Sequence, residues 1–359
     1  MKKLFALLMA VMMCVCMVSG LAETTGEAYK IGVVIPLSGN FAFFSAYFSP
    51  ILDIYVKDLN EAGGINGHPV ELVYKDNQGD ATITAQRLDE LLEENVSAVI
   101  GPFMDTCGPA AAQWATENKI PVVMCCALST EIGMANQSDY VFCAGSSAWA
   151  WAKVFANAVN AAGYESAYYV GNEGGVPDDV YNFFWEEMKK LNPDVENIGS
   201  VRLSGTESDL SSVIASIMMA DPDVVVTSLT GGGAITFISQ AVQFGLYDDS
   251  DMYGVYIEGA DHTESLADSY PCGSIWAIDW FPVNFAATQD WAEEIYNAAG
   301  GVIPNGASFN FYMAAATICE ALKTMDFEAR FDSDKLVEAL EQIKVASPLD
   351  GYECYYTDY

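Results

Sequence analysis

A chain of 359 residues with 52% hydrophobic and 18% charged side chains is too long and too apolar for a small module or a disordered segment, and at about 150 residues per domain it implies two cores. Fifteen Lys and Arg against 49 Asp and Glu give a formal charge of −34, which repels nucleic acid and anionic lipid surfaces. His68 and His262 are the only histidines, so His-based proton transfer and His-rich metal sites have little to draw on.

Residues 1–22 read as a secretory leader: Lys2 and Lys3 start it, Leu4 to Val18 is apolar throughout, and Gly20 and Ala22 are small residues at −3 and −1. Cleavage is expected after Ala22. The run is short for a bilayer span, and no later stretch reaches about 18 apolar residues unbroken, so the chain is expected to be exported to the periplasm or the extracellular space. Losing the two leader lysines takes the net charge from −34 to −36. A lipidated cysteine is disfavoured, because Met13 and Val15 precede Cys14 and Cys16 where such leaders need a small residue. Seven of the nine cysteines remain: Cys107, Cys125, Cys126, Cys143, Cys272, Cys319 and Cys354. An odd set without any C-x-x-C spacing, placed partly in runs such as Val122-Val123-Met124-Cys125-Cys126, reads as small buried thiols.

From residue 29 a beat of strand, turn and amphipathic helix repeats. Tyr29 to Ile35 is the first strand, and Phe48, Ile51, Leu52, Tyr55, Val56 and Leu59 give the stripe of a helix packed on a sheet. Val70 to Tyr74, Ser97 to Ile100 and Pro121 to Cys126 follow as strands, separated by helices at Ala81 to Leu92 and Ala110 to Glu117. The beat restarts with strands at Ala167 to Val170, Val201 to Leu203, Val224 to Thr227 and Tyr253 to Ile257. Helical stripes carry Val180, Phe184 and Met188, then Leu210, Ile214 and Ile217, then Ile235, Ile238 and Val242. Continuous Val runs indicate strands covered on both faces, as parallel sheets require. Helices at Trp291 to Ala299 and Phe311 to Leu322 are expected to return and cover the first unit. The expected fold is α/β: two doubly wound parallel-sheet lobes joined by a hinge.

Open parallel sheets bind ligands beyond the carboxyl ends of their strands. The loops expected there, 36–40, 76–79, 101–107, 127–130, 172–176, 230–233 and 258–261, are rich in Gly, hydroxyls and acids and hold no Lys or Arg. A phosphorylated ligand would find no cationic clamp, although helix N-terminal amides can hold a carboxylate.

Several of these segments, taken in order, carry a resemblance. Ile31-Gly32-Val33-Val34-Ile35-Pro36-Leu37-Ser38-Gly39, Leu59-Asn60-Glu61-Ala62-Gly63-Gly64-Ile65-Asn66-Gly67, Asp76-Asn77, Val99-Ile100-Gly101-Pro102 and Ile120-Pro121-Val122 together resemble the periplasmic solute-binding proteins of ABC importers, of the leucine/isoleucine/valine-binding type 1 class. The match runs from about residue 29 to 325. It implies a first lobe of 28–143 plus 284–326 and a second of 144–283 plus 327–359, with crossings at Cys143 to Gly145, at Asp279 to Phe281 and near Gly351. The last falls close to the chain end, where the family normally continues for two more strands.

The resemblance also implies site residues. Glu258 falls where the family pairs a carboxylate with the ligand's α-ammonium, and Phe44 where an aromatic covers the ligand side chain. A primary amine leaving water requires a fixed negative partner, which suits Glu258. On the carboxylate side the chain departs from the pattern: Asp105 and Leu128 stand where the family has Ser and Thr. Thr106, Ser129 and Thr130 are adjacent hydroxyls, and Thr230 follows a second-lobe strand. Asp105 has two readings, a helix cap or, with Glu258, a sign of a ligand with more than one amine or of an uncharged amide. Trp149 and Trp151 near the first crossing read as packing residues rather than a stacking surface.

Other signals are weaker. Gly231-Gly232-Gly233 has Thr236 at the third position of a dinucleotide loop, and Asp249-Ser250-Asp251 has Tyr253 at a calcium-ligand position. No cofactor is expected. The function implied is capture of an amino acid, or a related small amine or amide, for delivery to an ABC permease in the membrane by a monomeric, non-enzymatic protein. Two rival readings are a ligand sensor acting through a separate membrane receptor and a secreted hydrolase using carboxylates such as Asp105 and Glu258.

Overall fold

The computed structural model describes residues 24, 26–125, 138–145, 147–173, 175–204, 207–229, 231–255, 275–277, 289–302, 304–347 and 353–356. Strands β1 (Tyr29–Ile35), β2 (Val70–Asp76), β3 (Ala98–Ile100), β4 (Val122–Met124) and β5 (Val141–Cys143) form one parallel sheet in the order β2-β1-β3-β4-β5. In β1 Ile31, Val33, Val34 and Ile35 are wholly buried, because helices lie on both faces. Residues of α1 (Ser45–Glu61), α8 (Gln289–Ala298), α9 (Gly306–Lys323) and α10 (Ser333–Gln342) pack with Ile31, Val33 and Ile35 on one face. Leu88 and Leu91 of α2 (Ala81–Glu93) and Trp114 of α3 (Gly108–Asn118) pack with Val34 and Val99 on the other.

A second parallel sheet, in the order β10-β9-β8-β6-β7, is built from β6 (Ser166–Asn172), β7 (Glu196–Leu203), β8 (Val224–Ser228), β9 (Asp251–Val255) and β10 (Ile275–Ala277). The period-two alternation of a strand decides which residue faces which layer. Tyr169, Val224 and Val226 meet Phe155 of α4 (Ala148–Ala162) and Phe184 of α5 (Gly175–Leu191). Val170 and Val225 face the other way, onto Ile214 of α6 (Ser211–Ala220) and Phe237 of α7 (Gly231–Phe244). Trp151 lies in the first of these layers, whereas Trp149 is 49% exposed under the Lys153 ammonium, 4.6 Å from the ring centre.

Both sheets share one strand order, with the reversal at β1/β3 in the first and β6/β8 in the second. At such a switch point the two flanking helices leave toward opposite faces, and a crevice opens between the outgoing loops.

Three features depart from the sequence expectation. Residues 327–342 were expected in the second lobe, yet Leu336, Val337 and Leu340 of α10 enter the first lobe's core. Arg330 pairs with Glu27 at 2.8 Å, and the Phe327 ring packs on Tyr29 and His68 with centroids 4.9 and 3.6 Å away. Helical periodicity announces an apolar stripe but not which sheet will receive it. The short antiparallel pair β11 (Val345–Ala346) and β12 (Glu353–Cys354) stays with the same lobe, where Tyr356 packs on Phe142 at 4.9 Å and its hydroxyl meets Thr317 Oγ1 at 2.8 Å. Second, Val141–Cys143 forms β5, a strand beyond those expected, and the chain passes to the second lobe just after it. Third, β10 is a short strand beyond those expected. The proposed crossing at 279–281 lies outside the described residues.

Among the described cysteines, Cys107, Cys125 and Cys319 are buried, and Cys143 and Cys354 are half-buried. Burial pushes the Cys319 thiol up to about 12, with Tyr55, Lys323 and Glu320 as smaller influences, so it acts as a packing group.

The first lobe's core is pinned by Phe48, wholly buried and stacked on Phe311 at 4.2 Å. Phe48→Ala is expected to cost about 3–5 kcal/mol of stability, the usual range for a deleted core aromatic. A urea titration followed by near-ultraviolet circular dichroism checks it; a loss below about 1 kcal/mol would contradict this packing.

Candidate functional site

The carboxyl end of β2 is organised around one carboxylate. Asp76 Oδ1 accepts hydrogen bonds from the amides of Leu37 (2.9 Å), Ser38 (3.2 Å) and Gln78 (3.0 Å), and Oδ2 accepts from the Ser38 hydroxyl at 2.5 Å. The loops after β1 and β2 are thereby tied together. Partial burial opposes the charge on Asp76, but the Ser38 hydroxyl and the three amides outweigh it and hold the carboxyl below its ordinary value. Asn77, wholly buried, donates to Thr84 Oγ1 (3.0 Å) and accepts from Gly79 N (3.1 Å), while Asp80 caps α2 through the amides of Thr82 and Ile83. The Asp76-Asn77 pair noticed in the sequence is thus a loop-building device.

The loop after β3 crosses close above β1. Gly101 has φ +100°, and a Cβ there would stand 2.4 Å from the Val34 carbonyl oxygen, so only glycine lets the chain pass. The loop then places Phe103 against Phe44, with ring centroids 4.5 Å apart, and against Phe48 at the same distance. Phe44 is half-buried and caps this aromatic column from the cleft side of α1. Phe103 was not singled out from sequence; its position between two strand-end loops is the signal.

Asp105 and Thr106 begin a short 3-10 turn, Asp105–Cys107, that leads into α3. Asp105 does not cap α3: the residue at the cap is Cys107, which makes no side-chain cap bond. Asp105 Oδ1 accepts instead from the amide of Thr106 at 2.8 Å, and Oδ2 has no hydrogen-bond donor among the described residues. Thr106 is exposed.

In the second lobe, Tyr169 and Ser228 bridge β6 and β8 at the switch point, their hydroxyl oxygens 2.5 Å apart, and Tyr169 also donates to the Pro177 carbonyl at 2.6 Å. This ties the start of α5 to the sheet. Burial drives the Tyr169 hydroxyl well above its ordinary value, against smaller opposing effects of Ser228 and Arg202, so it stays protonated as a donor. Arg202, one strand over, pairs with Asp178 at 2.6 Å and lies over the faces of Tyr169 and Tyr181 at 4.7 and 4.6 Å.

The two switch points meet. A Cβ added to Gly175, at the start of α5, would lie 3.2 Å from Asp105 Oδ2, and Gly175 has φ +38°. The first-lobe loop after β3 therefore faces the second-lobe loop after β6 across the cleft. Of the sequence-proposed residues, Asp105, Thr106 and Phe44 are gathered on the first-lobe wall; Glu258, Ser129, Thr130 and Thr230 lie outside the described residues. Gly175 was not foreseen, since only tertiary contact distinguishes it from any other loop glycine. No group of three or more His, Cys, Asp or Glu side chains with metal-site geometry occurs among the described residues.

Known proteins resemble the chain over most of its length. A family model described as "Periplasmic binding protein" matches residues 28–354. The Leu/Ile/Val-binding protein homolog 7 of Brucella suis is 25% identical over 375 residues, covering 96% of this chain and 87% of its own. An ABC transporter substrate-binding protein from Sphaerobacter thermophilus superposes with a TM-score of 0.81 at 19% identity, over 92% of this chain and 90% of that one. A solute-binding protein of an ABC transporter from R. palustris, solved with benzoate, gives 0.73 at 20% identity, over 90% and 88%. The last two likenesses concern the fold.

Two outcomes follow from the loop geometry. A folded-state carboxyl held below its ordinary value adds stability that is complete at neutral pH and vanishes as pH falls through that lowered value, so Asp76→Asn should flatten the acid limb of stability below about pH 4. Denaturant titrations at stepped pH check this; an unchanged limb would contradict it. Gly175→Ala places a methyl in a strained backbone region against Asp105, so it should weaken cleft closure while leaving the melting of each lobe within about 1 kcal/mol. Small-angle scattering with and without ligand reads the closure.

Proposed function

Because the chain belongs to the periplasmic binding protein family, we propose that it captures one small solute, an amino acid or a related amine or amide, between its two lobes and presents it to the permease of an ABC importer. The observation that carries this reading is the meeting of the two switch points, with the β3 loop of one lobe in contact with the start of α5 in the other. A ligand lodged beside that contact touches both lobes at once. It stabilises the closed population by whatever it binds better there, and capture needs no covalent step.

In this reading Glu258 anchors the ligand's ammonium from the second lobe, with Thr230 nearby. The 101–106 loop, with Asp105 and Thr106, holds the other end from the first lobe, together with Ser129 and Thr130. Phe44 covers the apolar part of the ligand, supported by Phe103 and Phe48. The proteins compared are a Leu/Ile/Val-binding protein homologue and solute-binding proteins of ABC transporters, which supports a binding role over the hydrolase reading. The leader of residues 1–22 supports export, and no helix among the described residues is long and apolar enough to cross a membrane.

A thermal-shift screen over amino acids, amides and diamines tests the proposal. A cognate ligand at about 100 times its dissociation constant should add roughly 2.7 kcal/mol of stability, and chromatography should recover it chemically unchanged. Turnover of the ligand would replace the reading with the enzymatic one. Glu258→Ala should cost about 2–5 kcal/mol of binding by leaving the ammonium unpaired; isothermal titration giving unaltered affinity would refute that assignment.

A further inference from the structure

The second lobe carries an open cavity of about 380 Å³ between the C-terminal half of α5 and the turn that leads into β7. Its volume falls within the range of small-molecule sites, about 300–1,000 Å³. Trp185 on its wall stands about 15 Å along the helix from Gly175, the residue that meets Asp105 at the cleft.

Trp185 is 9% exposed, and its indole Nε1–H is buried without an acceptor. An indole nitrogen can only donate, and a buried donor left unpaired is costly. An oxygen brought against Trp185 from the cavity is therefore favoured. Met188 and Val195, both buried, give the same wall its apolar part.

The remaining wall is built of neutral amides whose own bonds leave capacity over. Asn197 donates to the Tyr181 hydroxyl at 2.9 Å, which leaves its carbonyl oxygen and the tyrosine proton. Asn192 accepts from the amide of Asp194 at 3.2 Å through its carbonyl oxygen, which leaves its two amide hydrogens. Asn182 is exposed and engages neither end of its amide among the described residues. Of the charged residues on the wall, Glu186 is paired with Lys190 at 3.1 Å, and Lys189 adds one more donor.

This inventory selects against ions. A carboxylate would meet the negative end of α5 and a chain of formal charge −34. An amine would meet mainly donors and a carboxylate already committed to Lys190. A hydroxyl both donates and accepts, as the amides around it do.

We propose that this cavity is a second small-molecule site, separate from the interlobe cleft, and that it takes a neutral sugar ring. Trp185 Nε1–H and Lys189 donate to the sugar's oxygens. The amides of Asn182, Asn192 and Asn197 exchange hydrogen bonds with its hydroxyls, and its C–H face lies against Met188 and Val195. The assignment stands whatever solute the cleft captures.

The test uses the chain without its leader, labelled with nitrogen-15, and follows the indole N–H resonances in proton–nitrogen correlation spectra. The probes are glucose, maltose, sodium propionate and ethylamine. The Trp185 resonance, identified by its loss in Trp185→Phe, should shift saturably with a sugar and stay in place with propionate and ethylamine. Equal affinity for glucose and maltose marks a free monosaccharide as the natural source of the ring, whereas maltose binding roughly tenfold tighter marks the end of a longer glycan. Asn182→Leu, at an exposed helix position, should keep the native circular dichroism and weaken the sugar about fivefold or more by isothermal titration. Trp185→Phe, checked in the same way for native structure, should weaken it likewise.

If propionate or ethylamine moves the Trp185 resonance and the sugars do not, the sugar assignment fails. If a sugar binds with unaltered affinity to both variants, it sits elsewhere on the chain and the cavity assignment fails. If no probe moves the resonance, the second site fails, and the capture reading of the cleft is untouched.

Discussion

The arrangement depends on the reversal of strand order inside each parallel sheet. A right-handed crossover from β1 to β2 and another from β2 to β3 put successive helices on opposite faces, so the loops leaving β1 and β3 diverge and open a crevice. The second sheet repeats the order, and its loops after β6 and β8 diverge in the same way. Asp105 against Gly175 is where the two crevices touch. Everything said about ligand capture follows from two such ends being opposed instead of two sheets stacked face to face.

Each crevice is braced by polar groups that satisfy backbone rather than ligand. Asp76 collects the amides of two loops, Asn77 is sealed beneath them against Thr84, and Tyr169 with Ser228 fixes the start of α5. Loops at a sheet end carry amides with no ladder partner, and unpaired amides in a cleft are costly. These residues meet that requirement internally, which leaves a first-lobe surface whose character is set by Phe44, Phe103, Thr106 and the outer oxygen of Asp105. The negative charge spread over the chain has a local counterpart here: the cations near the strand ends are consumed in fixed pairs, so the rim is acidic in effect as well as in composition.

Attachment of the C-terminal region shows how burial can overrule pattern. Residues 327–342 fold back on the first lobe because Arg330, 6% exposed and lying over its own neighbours Phe327 and Phe331, pairs with Glu27 there, and because α10 supplies three apolar side chains to a core that already holds α1 and α9. The amphipathic stripe of α10 is plain in the sequence, but a stripe fits any unfilled sheet face. Likewise Asp105 could be expected either to cap a helix or to meet a ligand, and only the geometry shows that Cys107 takes the cap position and that one oxygen of Asp105 is left facing the other lobe.

By itself, the sequence determined the element types, the parallel character of both sheets, the repeated beat of two α/β lobes and the acidic, cation-poor composition of the loops. These are local properties: side-chain periodicity, β-branched runs, glycine and proline punctuation and charge are written residue by residue. The tertiary structure alone decided which helix fills which face, that Phe103 joins Phe44 and Phe48, and that Gly175 stands opposite Asp105. Those facts join residues tens to hundreds of positions apart, and their contact depends on the summed directions of strands and crossovers, which no short window of sequence contains.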